Sequence, residues 1–339
     1  MKQAANVGGA SARRQAGFLV SGPPVGARRR LPHLIFGVSI SVLFGLLGCA
    51  KEETKPLPDL SAQFNASNAW RHVEALVAIG PRHAGTPGIE KARRYIEASL
   101  HESGLRVEFQ VFEDNTPKGK IKFVNVIAYP QWRRGPRILL ASHYDTIDLG
   151  KVHFVGANDS GSSTGMLLEL ARVLAGHPMQ PTPYFVFFDG EEPIGEWADA
   201  NGLYGSRYLV RAWKQRGELA SVRAMILADM VGDRNLKVRV PSHSTPSLVK
   251  AMFDASTELG YRGFFGYMSE DMSDDHVPFL RAGIPAIDLI DYEYGSAPGL
   301  NDYWHTANDT LDKISPQSLE IVGRTILKML PKVAPPPQR

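Results

Sequence analysis

Three apolar runs in this chain each end abruptly on acidic residues or histidine. Tyr184-Phe-Val-Phe-Phe188 runs into Asp189-Gly190-Glu191-Glu192, Arg137-Ile-Leu-Leu-Ala-Ser142 into His143-Tyr144-Asp145, and Ala224-Met-Ile-Leu-Ala228 into Asp229. Runs this short and this uniformly apolar suit strands buried on both faces. The spacing predicts strands at 107–112, 123–129, 137–142, 183–189, 224–229 and 286–289. Helices are expected at 68–79, 89–103, 160–175, 206–216, 247–259 and 315–330, several opening on a Ser or Asn suited to N-capping. Helices alternating with doubly buried strands imply a three-layer α/β/α sandwich around a central mixed, largely parallel sheet. In such sheets the functional site lies outside the carboxyl ends of the strands, where these polar residues fall.

The residues at those ends narrow the chemistry. In His143-Tyr144-Asp145 the alternation points the outer side chains the same way, so Asp145 can orient the imidazole from behind. Gly156-Ala-Asn-Asp159-Ser-Gly161 reads as a glycine-framed turn into the helix from Ser160. Asp159 then stands at a helix N-terminus, where it either faces a metal ion or simply caps the helix. Adjacent glutamates usually sit on solvated faces. Glu191 and Glu192 instead end a buried strand, where two uncompensated carboxylates are costly and a divalent cation relieves the cost. One can ligate while the other moves protons. Asp229 ends the next strand, Asp274-Asp275-His276 precede Val277-Pro-Phe-Leu280, and Trp304-His305-Thr306 lie near the end of the domain. Alone, His305 reads as a structural histidine. Together these residues make a nitrogen and oxygen donor set without sulfur, which suits a catalytic zinc.

Cys49 is the one cysteine, and it closes Leu46-Leu47-Gly48-Cys49 after an apolar stretch that starts at Leu34. The first 33 residues carry six basic side chains and no acidic one. The stretch is as long as a signal-peptide core and shorter than a spanning helix. Its end resembles the bacterial lipobox, where the thiol is acylated and the chain is cut before it; a short uncleaved membrane helix with a chance cysteine is the alternative. The expected division is a lipoprotein signal peptide at 1–48, a tether at 49–62, a catalytic domain at 63–331 and a disordered tail at 332–339. The expected location is the bacterial cell envelope, lipid-anchored on its periplasmic or outside face. Of 38 basic and 35 acidic residues, six basic ones lie in the leader, so the +3 charge of the whole chain becomes about −3 beyond it. That balance argues against nucleic acid as a partner. With Cys49 acylated, no thiol remains for disulfides or thiolate catalysis.

His143-x-Asp145, Asn158-Asp159-x-Gly161, Glu191-Glu192, Asp229 and His305 resemble the bacterial zinc aminopeptidases of the leucyl-aminopeptidase type. Within that superfamily, five stretches are similar to the animal-type glutaminyl-peptide cyclotransferases. They are Phe187-Phe-Asp-Gly-Glu-Glu192, Trp197, Leu203-Tyr-Gly-Ser-Arg207, Asp274-Asp-His-Val-Pro-Phe-Leu280 and Trp304-His305-Thr306. The cyclase likeness implies one zinc, held by Asp159, Glu192 and His305, with peptide or protein N-termini as substrates. It makes Glu191 the proton shuttle, sets Asp229 and Asp274 in a hydrogen-bond network beside it, and uses Trp197 and Trp304 to wall the glutamine pocket. The aminopeptidase form implies two zincs bridged by Asp159. His143 and Asp229 then complete one site, Glu192 and His305 the other, and Glu191 is general base for hydrolysis. All five ligands are present, so ligand identity does not choose between the two. The turn at Asn158–Gly161 looks more like the aminopeptidase one, and the stretch 291–302 is longer than in animal cyclases.

Overall fold

The computed structural model describes residues 58–333, apart from 197, 199, 269 and 270. The leader, Cys49, Trp197 and the segment 334–339 therefore lie outside the described residues. Eight strands form one sheet: β1 (Leu105–Thr116), β2 (Gly119–Pro130), β3 (Arg137–His143), β4 (Thr182–Phe188), β5 (Val222–Asp229), β6 (Val238–Val240), β7 (Phe265–Tyr267) and β8 (Ala286–Ile290). Their spatial order is β1-β2-β4-β3-β5-β8-β6-β7. The four central strands β4, β3, β5 and β8 are parallel. A β1–β2 hairpin joins antiparallel at one side, and β6 pairs antiparallel with β8 at the other. The sheet is mixed with a parallel centre, as expected.

Strand alternation divides the core into two layers. Val126, Ile138, Leu140, Phe185, Phe187, Ile226 and Leu289 face one side. There they meet α1 (Ala66–Ile79), α2 (Pro87–Glu102), α3 (Ser163–Ala175), α5 (Pro246–Glu258) and α7 (Pro316–Val333). Ile127, Leu139, Val186, Phe188, Met225 and Leu227 face the other side, against Leu209 and Trp213 of α4 (Tyr204–Gln215) and Phe279 of α6 (Val277–Arg281). Both faces of the centre are covered, which explains why these strands are apolar throughout.

Several boundaries differ from the sequence reading. β6 and β7 have three residues each and α6 has five, too short to leave a periodic pattern. Of the expected side-chain caps, Ser315 forms one, accepting from the Ser318 N–H; at the first helix the cap is Asn65 rather than Asn68, accepting from the Asn68 N–H. Helix α3 begins at Ser163 rather than Ser160. The packed chain also reaches past the expected limits of 63 and 331, for Leu60 is buried, Asp59 bonds Lys328 at 2.8 Å, and α7 continues through Pro331 to Val333. Among the described residues, no helix is long and apolar enough to cross a membrane.

Candidate active site

The parallel strands deliver their polar ends to one place. His143 is the last residue of β3 and Asp229 the last of β5. Glu191 and Glu192 follow β4 through Gly190, whose φ is 74° and whose position leaves no room for a side chain: a Cβ there would stand 2.5 Å from the Phe123 ring. Gly156 has the same role before the second loop, where a Cβ would lie 1.9 Å from the Asp159 carbonyl oxygen. Asp159 sits in that loop at φ −105° and ψ 92°, ahead of α3. The helix-capping alternative therefore fails, because the regular helix starts too late for Asp159 to cap it. Its carboxylate divides instead, with Oδ1 3.1 Å from His143 Nε2 and Oδ2 3.2 Å from His305 Nε2.

Two groups of ligand atoms result. His143 Nε2 lies 3.2 Å from Asp229 Oδ1, and His305 Nε2 lies 3.2 Å from Glu192 Oε2. The sets His143–Asp159–Asp229 and Asp159–Glu192–His305 each bring one atom per residue within 4.8 Å of the others. Glu192 Oε1 is buried with no hydrogen-bond partner. Buried carboxylates with a free oxygen, converging with imidazoles, fit a divalent cation of the zinc class. Two non-glycine residues in the left-handed region adjoin these ligands: His305 itself (φ 54°) and Met230 after Asp229 (φ 46°). Such residues are held against steric preference by their surroundings, and here they aim ligands.

Asp145 does more than stand 3.5 Å behind His143 Nδ1. Its carboxylate also accepts the backbone N–H groups of Glu191 (3.2 Å) and Glu192 (3.3 Å), so one side chain ties β3 to the glutamate pair. Two supports were not legible in the sequence. Asp309 accepts the N–H of Asn158 (2.7 Å) and of Asp159 (3.0 Å) and the hydroxyl of Tyr294 (2.8 Å). Arg82, 1% exposed, donates to the carbonyls of Val155 and Gly156 that lead into the same loop. Both residues lie far along the chain from the loop they hold, and no local pattern marks them.

Burial and crowding of acids set the electrostatics. Burial pushes Glu192 up to about 7, with Asp159 adding to the effect. It raises Glu191 well above the ordinary carboxylate range, helped by Asp274 and Glu192 and opposed by His143. Asp274 is pushed up to about 7 by burial and by Asp229. Burial opposes a charged His305, but Glu192 and Asp159 outweigh it and raise the imidazole to about 10. Asp159 goes the other way: His143 and His305 outweigh its burial and hold it below the usual range. The site thus holds several acids that cannot all ionise without a cation.

A cavity of about 1150 Å³ opens above this floor. Asp159, Glu191, Glu192, Asp229, Asp274, Trp304 and His305 all line it, so seven of the expected residues meet around one space. His143 is 1% exposed behind Asp159 and Asp229. Trp304 stacks on His305 at 3.9 Å and receives Tyr292 edge-on at 5.3 Å. Tyr292 was not anticipated; it comes from the long stretch before Trp304, pinned where Asp291 accepts the Lys237 N–H at 2.7 Å.

The sequence profile of peptidase family M28 matches residues 125–330. A glutaminyl-peptide cyclotransferase of Drosophila melanogaster is 31% identical over 260 residues, covering 69% of this chain and 72% of its own. The crystal structure of an Acidobacteriales bacterium glutaminyl cyclase superposes with a TM-score of 0.74 at 38% identity, over 78% of this chain and 93% of that one. A leucine aminopeptidase precursor from Bacteroides thetaiotaomicron also superposes, with a TM-score of 0.70 at 28% identity over 79% of this chain and 97% of that one.

Proposed function

Because this chain belongs to peptidase family M28, in its glutaminyl cyclase branch, we propose that it is a glutaminyl-peptide cyclotransferase. It converts the N-terminal glutamine of peptides to pyroglutamate and releases ammonia. The observation that carries the chemistry is Glu191, a carboxyl of raised proton affinity on the cavity wall beside Asp159, Glu192 and His305. In this reading those three residues hold one zinc ion, which when bound supplies Lewis acidity to a carbonyl oxygen. Glu191 accepts a proton from the attacking α-amine and returns it to the departing ammonia. Burial, with Asp274 and Glu192 beside it, keeps the proton affinity of Glu191 high enough for both transfers, and Asp229 acts on Asp274 in turn. Trp304, braced by Tyr292, forms one wall for the glutamine side chain, and Trp197 is proposed as another. The nucleophile belongs to the substrate, so the cavity's main contribution is to hold a five-membered geometry.

One observation favours a second reading. The oxygens of Asp159 face two histidines of two separate ligand groups, as a bridge in a two-zinc aminopeptidase would. His143 and Asp229 then hold the second ion, and Glu191 is general base for peptide hydrolysis. Zinc-loaded protein given paired peptides that start with glutamine or leucine separates the two, with products read by mass. Ammonia lost from a glutamine peptide of unchanged length supports cyclisation. Free leucine or glutamine refutes it in favour of the aminopeptidase. We also read Cys49 as acylated, which places the enzyme at the cell envelope, anchored to a membrane by lipid, where exported peptide and protein N-termini are its substrates.

A further inference from the structure

The two ends of the sheet carry opposite charge. At the carboxyl ends of the parallel strands, Asp159, Glu191, Glu192, Asp229 and Asp274 gather around the cavity. At the amino ends the side chains are basic. There the register sets Arg137 of β3 beside Thr182 of β4 and Val222 of β5. Arg133 and Arg134 stand in the connection from β2 into β3, and Arg223 follows Val222. Helix α4 runs from the cavity toward this end. The Tyr204 N–H bonds the Gly190 carbonyl beside Glu191, and Arg216, just past the helix, shares Glu218 with Arg137. The helix thus brings Arg211, Lys214 and then Arg216 to the amino ends of the strands. All six bases, at 133, 134, 211, 214, 216 and 223, are exposed.

Little neutralises them. Glu218, the acid between α4 and β3, is already held by Arg137 at 2.9 Å and Arg216 at 2.6 Å. Arg134, Lys214 and Arg223 make no ion pair among the described residues. Beyond the leader the chain carries about −3, so the cluster is a segregation of charge and not a general excess of base. The chain before Pro58 also leaves from this end. Pro58 and Leu60 line a hollow with Leu174, His177, Pro178 and Met179, where α3 ends and the chain turns into the amino end of β4. Cys49 lies nine residues before Pro58, a reach of at most about 30 Å.

We propose that the amino-end face of the sheet docks on anionic lipid headgroups, with Arg134, Lys214 and Arg223 among its contacts. The inference rests on the acylation of Cys49 to bring a membrane within reach, and not on the reaction. Each basic side chain brought to an anionic surface strengthens attachment about fivefold, and the attraction fades within a Debye length of about 8 Å. The same surface repels the acids at the cavity end. Both effects turn the molecule the same way. The anchored enzyme stands with its cavity facing away from the membrane, open to peptide N-termini in solution.

The test places the full chain, purified as the cell processes it, on vesicles of phosphatidylcholine with or without phosphatidylglycerol. Amide hydrogen exchange is then followed by mass spectrometry. Residues 131–136 and 216–221 should exchange at least about fivefold more slowly on the anionic vesicles than on the neutral ones, and about 1 M salt should abolish the difference. Combining Arg134→Glu, Lys214→Glu and Arg223→Glu should abolish it too, with the circular dichroism spectrum unchanged. The milder set Arg134→Gln, Lys214→Gln and Arg223→Gln should remove part of it. Equal exchange on both vesicles overturns the proposal, as does slowing at the cavity mouth around Tyr267 or slowing that survives charge reversal. Slowing by polyglutamate but not by anionic vesicles would give the face to an acidic protein partner and overturn it as well. The mass of the purified chain reports acylation separately. A bare Cys49 refutes that reading, and the exchange comparison still decides the docking.

Discussion

Replacing Arg82 with methionine should destabilise the protein by about 3–5 kcal/mol, the usual cost of stripping one partner from a buried charged network. The figure can be built from the contacts. The guanidinium donates to the carbonyls of Val155 at 2.7 Å, Gly156 at 3.1 Å and Tyr144 at 3.2 Å. Longer contacts to Leu76 (3.3 Å) and Gly80 (3.4 Å) share the nitrogen that serves Val155. At about 1.5–3 kcal/mol for each charged hydrogen bond, the three shorter contacts contribute about 5–9 kcal/mol. Removing the cation also removes its desolvation penalty, which offsets several kcal/mol of that. Burial pushes Arg82 down to about 10, opposed by Asp309, Asp159, Asp145 and Glu192, so it is charged at neutral pH. Arg82→Lys keeps the charge but gathers its donors on one nitrogen, and should lose about half as much. Urea denaturation followed by circular dichroism, fitted with a common slope, measures both variants. A loss below about 1 kcal/mol for Arg82→Met, or a lysine variant weaker than the methionine one, would refute the reasoning.

Three further outcomes are expected. Glu191→Gln should lower turnover by about 10²–10⁴ while bound zinc, measured by mass spectrometry, stays unchanged; loss of metal would reassign Glu191 as a ligand. Burial, with help from Asp145, pushes Asp189 from 3.8 up to about 8. A raised folded-state pKa means full stability below 3.8 and progressive loss as pH rises toward about 8, at about 1.4 kcal/mol per pH unit. Asp189→Asn should remove that slope in denaturation measured from pH 5 to pH 8, and an unchanged slope would assign the loss to other groups. Cys49→Ala should move the protein from the membrane fraction to the soluble one, and continued membrane association would favour a spanning anchor.

What the sequence disclosed followed element length and local pattern. The six strands anticipated are those of five residues or more, because doubly buried strands announce themselves as apolar runs. Val238–Val240 and Phe265–Tyr267 extend the sheet only because β8 offers an open edge, and three residues hold no period. Five ligand candidates were visible because each punctuates or closely follows an apolar run, or sits in a distinctive short string. Asp309 and Arg82 were not, since the loop groups they hold are backbone N–H and C=O, which carry no residue identity. The capping role weighed for Asp159 does not form, because the turn from Ala157 to Ser162 delays the helix by three residues. Trp197 and Cys49 lie outside the described residues, and their roles stand as proposals.

Were both ligand groups to take an ion, the divided carboxylate of Asp159 would make metal content a graded property rather than a fixed one. The one carboxylate of Asp159 is common to both ligand groups, beside Asp229 in one and Glu192 in the other. Two dications drawn to it repel each other across a few ångströms, so whichever loads first weakens the hold on the second. Occupancy of the weaker group would then track the free metal concentration of the compartment. Two enzymes with the same five ligands can differ in ion count through the acids around Asp229 alone. Divergence between one-ion and two-ion chemistry on this scaffold thus needs a change in affinity, not the gain or loss of a ligand.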